Sequence, residues 1–262
     1  MVDLTVELLA LLALVAFAAG FVDSIAGGGG LITVPALLLA GLGPVEALGT
    51  NKLQGLFGSG SATLAYAARG HVDLRGQFPW AVLSCLGAVA GALLAAYLPG
   101  DFMRALLPLL LIAIALYFLL KPSLGDVDRT QRIAPRIFGL TIVPAIGFYD
   151  GLFGPGTGSF FMLAFVALAG FGMLKATAHT KLLNFASNFG GLAAFAAVGA
   201  INWKIGLAMG AAQFLGARVG AALAMKVGVR LIRPLLVVVC VAMAVRLLLD
   251  PTNPLRQFPL LW

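Results

Sequence analysis

Long apolar runs separated by short polar segments organise the whole chain. Several of the runs contain enough residues to cross the hydrocarbon core of a bilayer, which takes about 20 residues of helix. Charged residues gather between the runs. The pattern therefore predicts an all-α integral membrane protein. The apolar runs cover residues 4–19, 31–42, 53–68, 78–98, 102–120, 137–149, 160–171, 182–200, 203–227 and 231–249.

Composition excludes a water-soluble fold. The chain is 61% hydrophobic and 10% charged, whereas soluble domains are about 45–50% apolar and about 25% charged. The chain has no G-x-S-x-G or H-E-x-x-H motif and no nucleotide-binding motif, so we expect neither an enzyme nor bound ATP. Its two cysteines, Cys85 and Cys240, lie inside apolar runs. No cofactor and no metal are expected, and the expected surroundings are the lipid bilayer rather than nucleic acid.

The distribution of Lys and Arg indicates an orientation in the membrane. The runs beside the glycine clusters near Gly27 and Gly154 are short, so each pair is either a re-entrant hairpin or two short, tilted spans. If each pair enters and leaves on one side, most cations fall on one face, which the positive-inside rule places in the cytoplasm. This predicts a multi-pass membrane protein with both termini extracytoplasmic. The cytoplasmic set is Arg69, Arg75, Lys121, Arg129, Arg132, Arg136, Lys175, Lys181, Lys226, Arg230 and Arg233.

An internal repeat divides the chain. Residues 20–29, GFVDSIAGGG, align with residues 147–156, GFYDGLFGPG, at an offset of 127, and residues 43–92 align with residues 172–221 at an offset of 129. We expect a first half at residues 1–121, a cytoplasmic linker at 122–135 and a second half at 136–262. Each half would hold a glycine-broken helical hairpin or short helix pair followed by three transmembrane helices. The charge distribution makes the halves inverted in the membrane, as in many secondary transporters.

The two glycine clusters are candidate substrate sites. Glycine allows the backbone to leave the helix, and such backbone is tolerated at membrane depth only where protein buries it or it lines a cavity. The helices that follow would point their N-terminal N–H groups into that cavity, which favours an anion. The alternative is that the glycines simply permit a tight hairpin. The candidate binding residues are Gly28, Gly29 and Gly30 in the first half and Gly156 and Thr157 in the second.

Matching lysines follow each cluster. Lys52 comes after Asn51 in the first half, and Lys181 precedes Asn184 in the second. A lysine here neutralises an anion, and the two lysines are predicted near opposite faces of the membrane. The alternative is a pair of interfacial lysines whose ammonium groups reach the membrane surface. Their symmetry favours substrate binding, and we include both asparagines in the site.

Three further charged residues lie deep in apolar sequence. Asp23 and Asp150 each precede a glycine cluster, and an intramembrane carboxylate costs about 2.5–3.5 kcal/mol on insertion scales. Proton binding, an ion pair with Lys52 or Lys181, and capping of the broken helix are all open roles. Arg218 lies inside the run 203–227. It either clamps an oxyanion bidentately or pairs with Asp150.

Four glycines at matching positions in the two halves have a simpler interpretation. Gly87 and Gly91, like Gly216 and Gly220, form small-xxx-small pairs. Such pairs let neighbouring helices approach closely. We expect these four glycines to pack helices rather than to bind a ligand.

The first glycine segment and its surroundings resemble a known family. Residues 20–41, GFVDSIAGGGGLITVPALLLAG, then Thr50-Asn51-Lys52, and the weaker copy GFYDGLFGPGTGSFF at residues 147–161, resemble the sulfite exporter TauE/SafE family of membrane transporters. The resemblance implies an inner-membrane permease for small anions, often sulfite, sulfonates or sulfoacetate, usually in the export direction. In the second copy Pro155, Thr157 and Met162 stand where the first copy has Gly28, Gly30 and Pro35. The two breaks therefore need not bind substrate equally.

The leading hypothesis is a secondary transporter, an exporter of a small anion such as sulfite, sulfoacetate or another organosulfonate. It would work by alternating access around the two broken segments. Protons are the simplest coupling ion, since no nucleotide site is present. The alternatives are an anion channel built on the same site and an uptake permease for another small organic anion.

Overall fold

The computed structural model describes residues 5–120, 130–227, 241, 242, 245, 248 and 249, and every regular element in this part of the chain is helical. Three of these helices are long and apolar enough to cross a membrane, which confirms the predicted class. Predictions for the linker residues 122–129, for both termini and for most of the run 231–249 lie outside the described residues. The elements are α1 (Val6–Ala26), α2 (Gly29–Leu39), α3 (Pro44–Ala67), α4 (Leu74–Tyr97), α5 (Gly100–Leu120), α6 (Pro135–Ile137), the π-helical segment η1 (Phe138–Ile142), α7 (Val143–Leu152), α8 (Thr157–Ala167), α9 (Met173–Ala197) and α10 (Trp203–Val227).

Local chemistry explains several helix ends. Thr5 precedes α1, and its side chain accepts a hydrogen bond from Leu8 N at 3.2 Å. At the other end Gly27 takes the left-handed conformation, with φ of 77°, and its N–H donates to Asp23 O. The Asp73 carboxylate accepts from two backbone amides in the first turn of α4. Such side chains satisfy amides that have no partner inside the helix.

The segment before the second glycine cluster contains a helical irregularity. Val143 N donates to Phe138 O, five residues back, as in a π turn. Pro144 follows at once and has no N–H to give the α-helical ladder, and π-helical turns occur mostly as single turns inside α-helices. The elements α6, η1 and α7 together therefore form one continuous helical stretch that ends at the glycine cluster.

One expectation about the broken segments is wrong for the first half. We expected half-length segments on both sides of Gly27, but α1 has 21 residues, enough to span. Only α2, with 11 residues, is short: at 1.5 Å per residue it reaches about 16 Å, roughly half of the hydrocarbon core. Its counterpart α8 also has 11 residues. The apolar residues of α1 continue without interruption up to Asp23, and one face of this helix packs against α10. This continuous packing explains why α1 is longer than expected.

The same series of elements occurs twice. The helices α3 and α4 begin at positions 44 and 74, and α9 and α10 begin at 173 and 203. Left-handed glycines also recur at the same spacing: Gly41 with Gly170, and Gly70 with Gly199. Similar backbone turns thus separate the helices in both parts of the chain.

The corresponding helices α3 and α9 run in opposite directions. Along the contact between α3 and α9, Gly49 lies beside Ala200, whereas Gly60, further along α3, lies beside Phe185, which comes earlier in α9. These two helices are therefore antiparallel. Where α1 contacts α10, and where α4 contacts α7, later residues of one helix lie beside later residues of the other. The two helices of each pair are therefore parallel.

Glycines allow the tightest helix contacts, as the sequence predicts. A Cβ atom on Gly87 or Gly91 would collide with backbone oxygens of α7, at Pro144 and Phe148. Gly216 and Gly220 meet the backbone of α1 in the same way. All four glycines therefore serve close backbone packing, with α1 against α10 and α4 against α7.

Most of the exposed cations among the described residues lie at one end of the helix bundle. Arg69 Nη1 contacts Met225 Sδ at 3.8 Å, which joins the end of α3 to the end of α10. Gln77 Nε2 donates to His179 O at 3.0 Å, and Arg132 N donates to a carbonyl in the α8–α9 connection. The described cations at this end are Arg69, Arg75, Arg132, Arg136, Lys175 and Lys226.

Candidate functional site

The two glycine turns touch each other in the interior. Gly27 O accepts a hydrogen bond from Ser159 N at 3.0 Å, and Ser159 Oγ donates to Ala26 O at 2.7 Å. A Cβ atom on Gly158 would lie 2.5 Å from Gly27 Cα. Backbone therefore packs directly on backbone, and the end of α1 meets the start of α8.

A polar cavity lies beside this contact. It is a small recess, partly open to solvent, and its lining is mainly polar. Backbone of both glycine turns and amide side chains from α3, α9 and α10 form the wall. The lining residues are Asp23, Gly27, Gly30, Asn51, Gly55, Asp150, Gly154, Gly156, Thr157, Gly158, Asn184, Asn188 and Gln213.

Asp23 is held by several partners. Its Oδ1 accepts from Gly29 N at 3.0 Å, which caps α2. Its Oδ2 lies 3.2 Å from Lys181 Nζ, and the same ammonium also donates to the backbone oxygen of Asp23. Two of the three roles that the sequence leaves open, capping and ion pairing, are thus combined in one residue.

Asp150 forms the matching pair with fewer contacts. Its Oδ1 lies 2.8 Å from Lys52 Nζ, and both side chains are almost wholly buried. Within the described residues, no donor contacts Asp150 Oδ2, although that atom is buried. The lysine stem passes over Gly191, where a side chain would block it. Each lysine thus pairs with the aspartate of the other half of the chain.

The two ion pairs lie at different depths. Lys52 is eight residues from the start of α3, and Lys181 is eight residues from the start of α9. At 1.5 Å per residue each lysine is about 12 Å from the start of its helix. Because α3 and α9 are antiparallel, the two pairs are displaced towards opposite ends of the bundle.

Hydrogen bonds orient the amide of Asn51. Its Oδ1 accepts from Thr33 Oγ1 at 2.7 Å and from Gln54 Nε2 at 2.9 Å. With the oxygen used in this way, the Nδ2 group is directed towards the turn at Gly154. Asn51 therefore presents its amide donors to the cavity.

Sequence reasoning missed two side chains that line the cavity. Asn188 stands one turn after Asn184 and donates to the Asn184 backbone oxygen at 2.8 Å. Gln213, on α10, is buried, and its Oε1 has no partner among the described residues. An amide inside an apolar run was the available signal in both cases, because a buried polar group needs a partner.

Most predicted site residues come together, and Arg218 does not. Gly30, Asn51, Gly156, Thr157 and Asn184 line the cavity with both aspartates, while Lys52 and Lys181 lie directly behind the aspartates. Gly28 and Gly29 form the start of α2.

Arg218 has an exposed side chain and lies five residues after Gln213, about 140° around α10. Its predicted pairing with Asp150 is wrong, because Asp150 pairs with Lys52.

The arrangement suits a small polar anion. Two ammonium groups and two carboxylates balance formally, and amide donors and the first turns of α2 and α8 surround the space between them. An anion that replaces a carboxylate on a lysine would find further donors already oriented. A buried ammonium without an anionic partner is costly, so a substrate anion must take the place of the carboxylate on the lysine.

Comparisons with known proteins point to transport. Residues 12–247 match the family described as Sulfite exporter TauE/SafE. The chain is 65% identical to the probable membrane transporter protein ORF9 of a Sinorhizobium species, over 98% of both chains. It is 50% identical to the probable membrane transporter protein YfcA of Escherichia coli, over 93% of this chain and 90% of that one. A Haemophilus influenzae protein of the same description is 47% identical, over 95% and 97%. No solved structure is significantly similar to the chain.

Proposed function

The chain belongs to the sulfite exporter TauE/SafE family of membrane transporters, and from that premise we propose that it is a secondary transporter that exports a small sulfur oxyanion. Sulfite, sulfoacetate or another organosulfonate is the proposed substrate class. These ions are small, and each carries several oxygens that accept hydrogen bonds. They match a cavity lined by amides and backed by two lysines.

The observation that carries the proposal is the crossed pair of buried salt bridges, Lys52 with Asp150 and Lys181 with Asp23. Intramembrane charges are retained where function needs them, because they cost free energy. Both pairs flank one polar cavity at the meeting point of two broken helices. In secondary transporters such half-helix N-termini bind anionic groups.

We propose alternating access between two inverted repeats as the mechanism. The antiparallel courses of α3 and α9 and the recurring glycine turns support this architecture. Each lysine binds an aspartate of the other half, so movement of one half relative to the other changes both ion pairs. Exchange of an anion for a carboxylate would thereby be linked to which end of the cavity opens.

We also propose an inner-membrane location with the cationic end in the cytoplasm. Most of the exposed cations among the described residues gather at one end of the bundle, and the positive-inside rule assigns such an end to the cytoplasm. In this orientation Lys181 approaches the cytoplasm and Lys52 the outer side. An inside-negative membrane potential drives one negative charge outward by about 2.3 kcal/mol per 100 mV, which favours export of an uncompensated anion.

Counterflow in proteoliposomes tests the function. Vesicles loaded with unlabelled sulfite, sulfoacetate, taurine, sulfate or acetate are diluted into a trace of the same labelled compound. A carrier accumulates label transiently, because internal substrate returns the binding site outward. We expect accumulation with a sulfur oxyanion and none with acetate.

Two results would contradict this function. Downhill leakage without counterflow would indicate an anion channel, which needs no exchange. Counterflow with acetate but with no sulfur compound would indicate a permease for another small organic anion. Empty vesicles and vesicles with the Lys52→Met variant are the controls, because that variant loses a cation of the site.

A further inference from the structure

The two buried ion pairs differ in how firmly the carboxylate is held. In the first pair, Gly29 N donates to one carboxylate oxygen of Asp23, and Lys181 Nζ contacts the other. Lys181 also donates to the backbone oxygen of Asp23. Protonation of Asp23 would break either the ion pair or the cap of α2.

The second pair has a free atom. Lys52 contacts Asp150 Oδ1, while Oδ2 is buried and, within the described residues, accepts no hydrogen bond. Asp150 is also part of the cavity wall. A proton added to Oδ2 therefore breaks no existing hydrogen bond.

From this difference we propose that Asp150 is the proton-coupling carboxylate and Lys52 the lysine that binds the transported anion, whereas Asp23 and Lys181 form a structural pair. This inference rests on the proposed function. It assigns to one ion pair a role that the sequence leaves open for both pairs.

The proposed step moves one proton and one anion together. A proton from water binds Asp150 Oδ2 and converts the carboxylate into a neutral carboxylic acid. The Lys52 ammonium keeps its proton and becomes the counter-ion of the incoming anion. On release the acid returns its proton to water and pairs again with Lys52. A monovalent anion then crosses without net charge, so the membrane potential does not assist its export, and the outward anion gradient must exceed any inward proton gradient.

Other titratable groups around Asp150 are engaged elsewhere or distant from it. Tyr149, on the same helix, donates its hydroxyl to Pro155 O at 2.5 Å. The adjoining elements η1 and α8 carry no titratable side chain, and α3 contributes Lys52. Asp23 shares the cavity. On α9, Lys175 and His179 contact Phe171, and Lys181 contacts Asp23. The titratable residues of the two remaining neighbouring helices are Arg75, Cys85 and Tyr97 on α4 and Lys175, His179 and Lys181 on α9.

Two matched substitutions test the assignment. Asp150→Asn and Asp23→Asn each remove one carboxylate with little change of shape, and the second keeps an oxygen for Gly29 N. Exchange of labelled sulfoacetate is measured in proteoliposomes at pH 6 and pH 8, between which its groups stay ionised; sulfate replaces it if wild type does not exchange sulfoacetate. The readout is the ratio of the two initial rates.

We expect the wild-type rate to change by up to about tenfold per pH unit, the limit for a one-proton step. Asp150→Asn should bring the ratio close to one, and Asp23→Asn should keep the wild-type ratio while lowering the melting temperature. If exchange by Asp150→Asn is too slow to follow, thermal shift by the same anion at both pH values provides the ratio, and it should again be near one.

The inference is overturned if Asp150→Asn keeps the wild-type pH ratio, or if both variants lose it alike. A wild-type protein that exchanges sulfoacetate or sulfate equally at both pH values also overturns it, and leaves anion transport standing. A wild-type protein that exchanges no anion of the panel overturns the proposed function itself. The failures of the two proposals are therefore distinguishable.

Discussion

Lys52 on α3 and Asp150 on α7 form a buried ion pair, with 2.8 Å between Nζ and Oδ1. The lysine belongs to the first half of the chain and the aspartate to the second, and Lys181 and Asp23 repeat the relationship in reverse. The two halves are thus tied by charges that neither half satisfies alone. Separate folding of either half would leave two unpaired buried charges.

Removal of one partner should destabilise the protein strongly. Lys52→Met leaves the Asp150 carboxylate buried without a counter-ion, which costs about 3–5 kcal/mol, or roughly 6–20 °C in melting temperature for a chain of this size. The double variant Lys52→Met/Asp150→Leu should recover most of the loss, because no buried charge remains. Melting temperatures in detergent micelles, followed by tryptophan fluorescence, measure both effects.

The control for these melting-temperature measurements is Lys204→Met. Lys204 is exposed at the start of α10, and surface substitutions usually change stability by about 0.5 kcal/mol or less. If the double variant melts no higher than Lys52→Met, the ion pair does not explain the loss.

Periodicity and composition predict much of this fold, because lipid-facing helices must be apolar throughout. Repeated motifs also identified Asp23, Asp150 and both lysines as matching residues. Which lysine meets which aspartate could not be predicted, since the partners are separated by about 100 residues or more and the symmetry allows both arrangements.

The amide residues of the cavity show a second limit. Gln213 stands on α10 near Arg218, and sequence alone favoured the charged residue as the ligand. The two side chains lie on different faces of α10. Gln213 faces α1 and α3, where Gly20 and Gly58 leave room for it, whereas Arg218 is exposed. Because both faces of α10 are rich in small and apolar residues, the sequence does not reveal which face is buried.

Thr33 should influence substrate affinity through Asn51. Its hydroxyl donates to Asn51 Oδ1 at 2.7 Å, and Thr33→Val removes that donor with little change of shape. A lost buried hydrogen bond costs about 0.5–1.5 kcal/mol, so the apparent Kd for the transported anion should rise about twofold to tenfold. Half-saturation in counterflow measures the change.

Thr141→Val is the matched control, since Thr141 is exposed and its hydroxyl donates to Ile137 O on its own helical stretch. Equal affinities in the two valine variants would mean that the orientation of Asn51 does not matter for binding.

Orientation in the membrane can be read by cysteine labelling. In a background with Cys85→Ser and Cys240→Ser, we expect Gly100→Cys to react with a membrane-impermeant maleimide added to intact spheroplasts. Thr130→Cys should react only after permeabilisation. Gly100 and Thr130 are both exposed and lie at opposite ends of the bundle. The reverse labelling pattern would place the cationic end outside, against the positive-inside rule.

The contact between the two glycine turns should tolerate no side chain. In Gly158→Ala the new Cβ would lie 2.5 Å from Gly27 Cα, and because backbone cannot swing aside as a side chain does, the end of α1 and the start of α8 must separate. We expect a loss of about 1–3 kcal/mol from overpacking and a marked fall in counterflow rate, since the turns form part of the cavity wall. Gly100→Ala is the control, because its Cβ would meet only Pro44 atoms at 3.9 Å. Counterflow and melting temperature equal in the two variants would show that the turns move apart without consequence for the site.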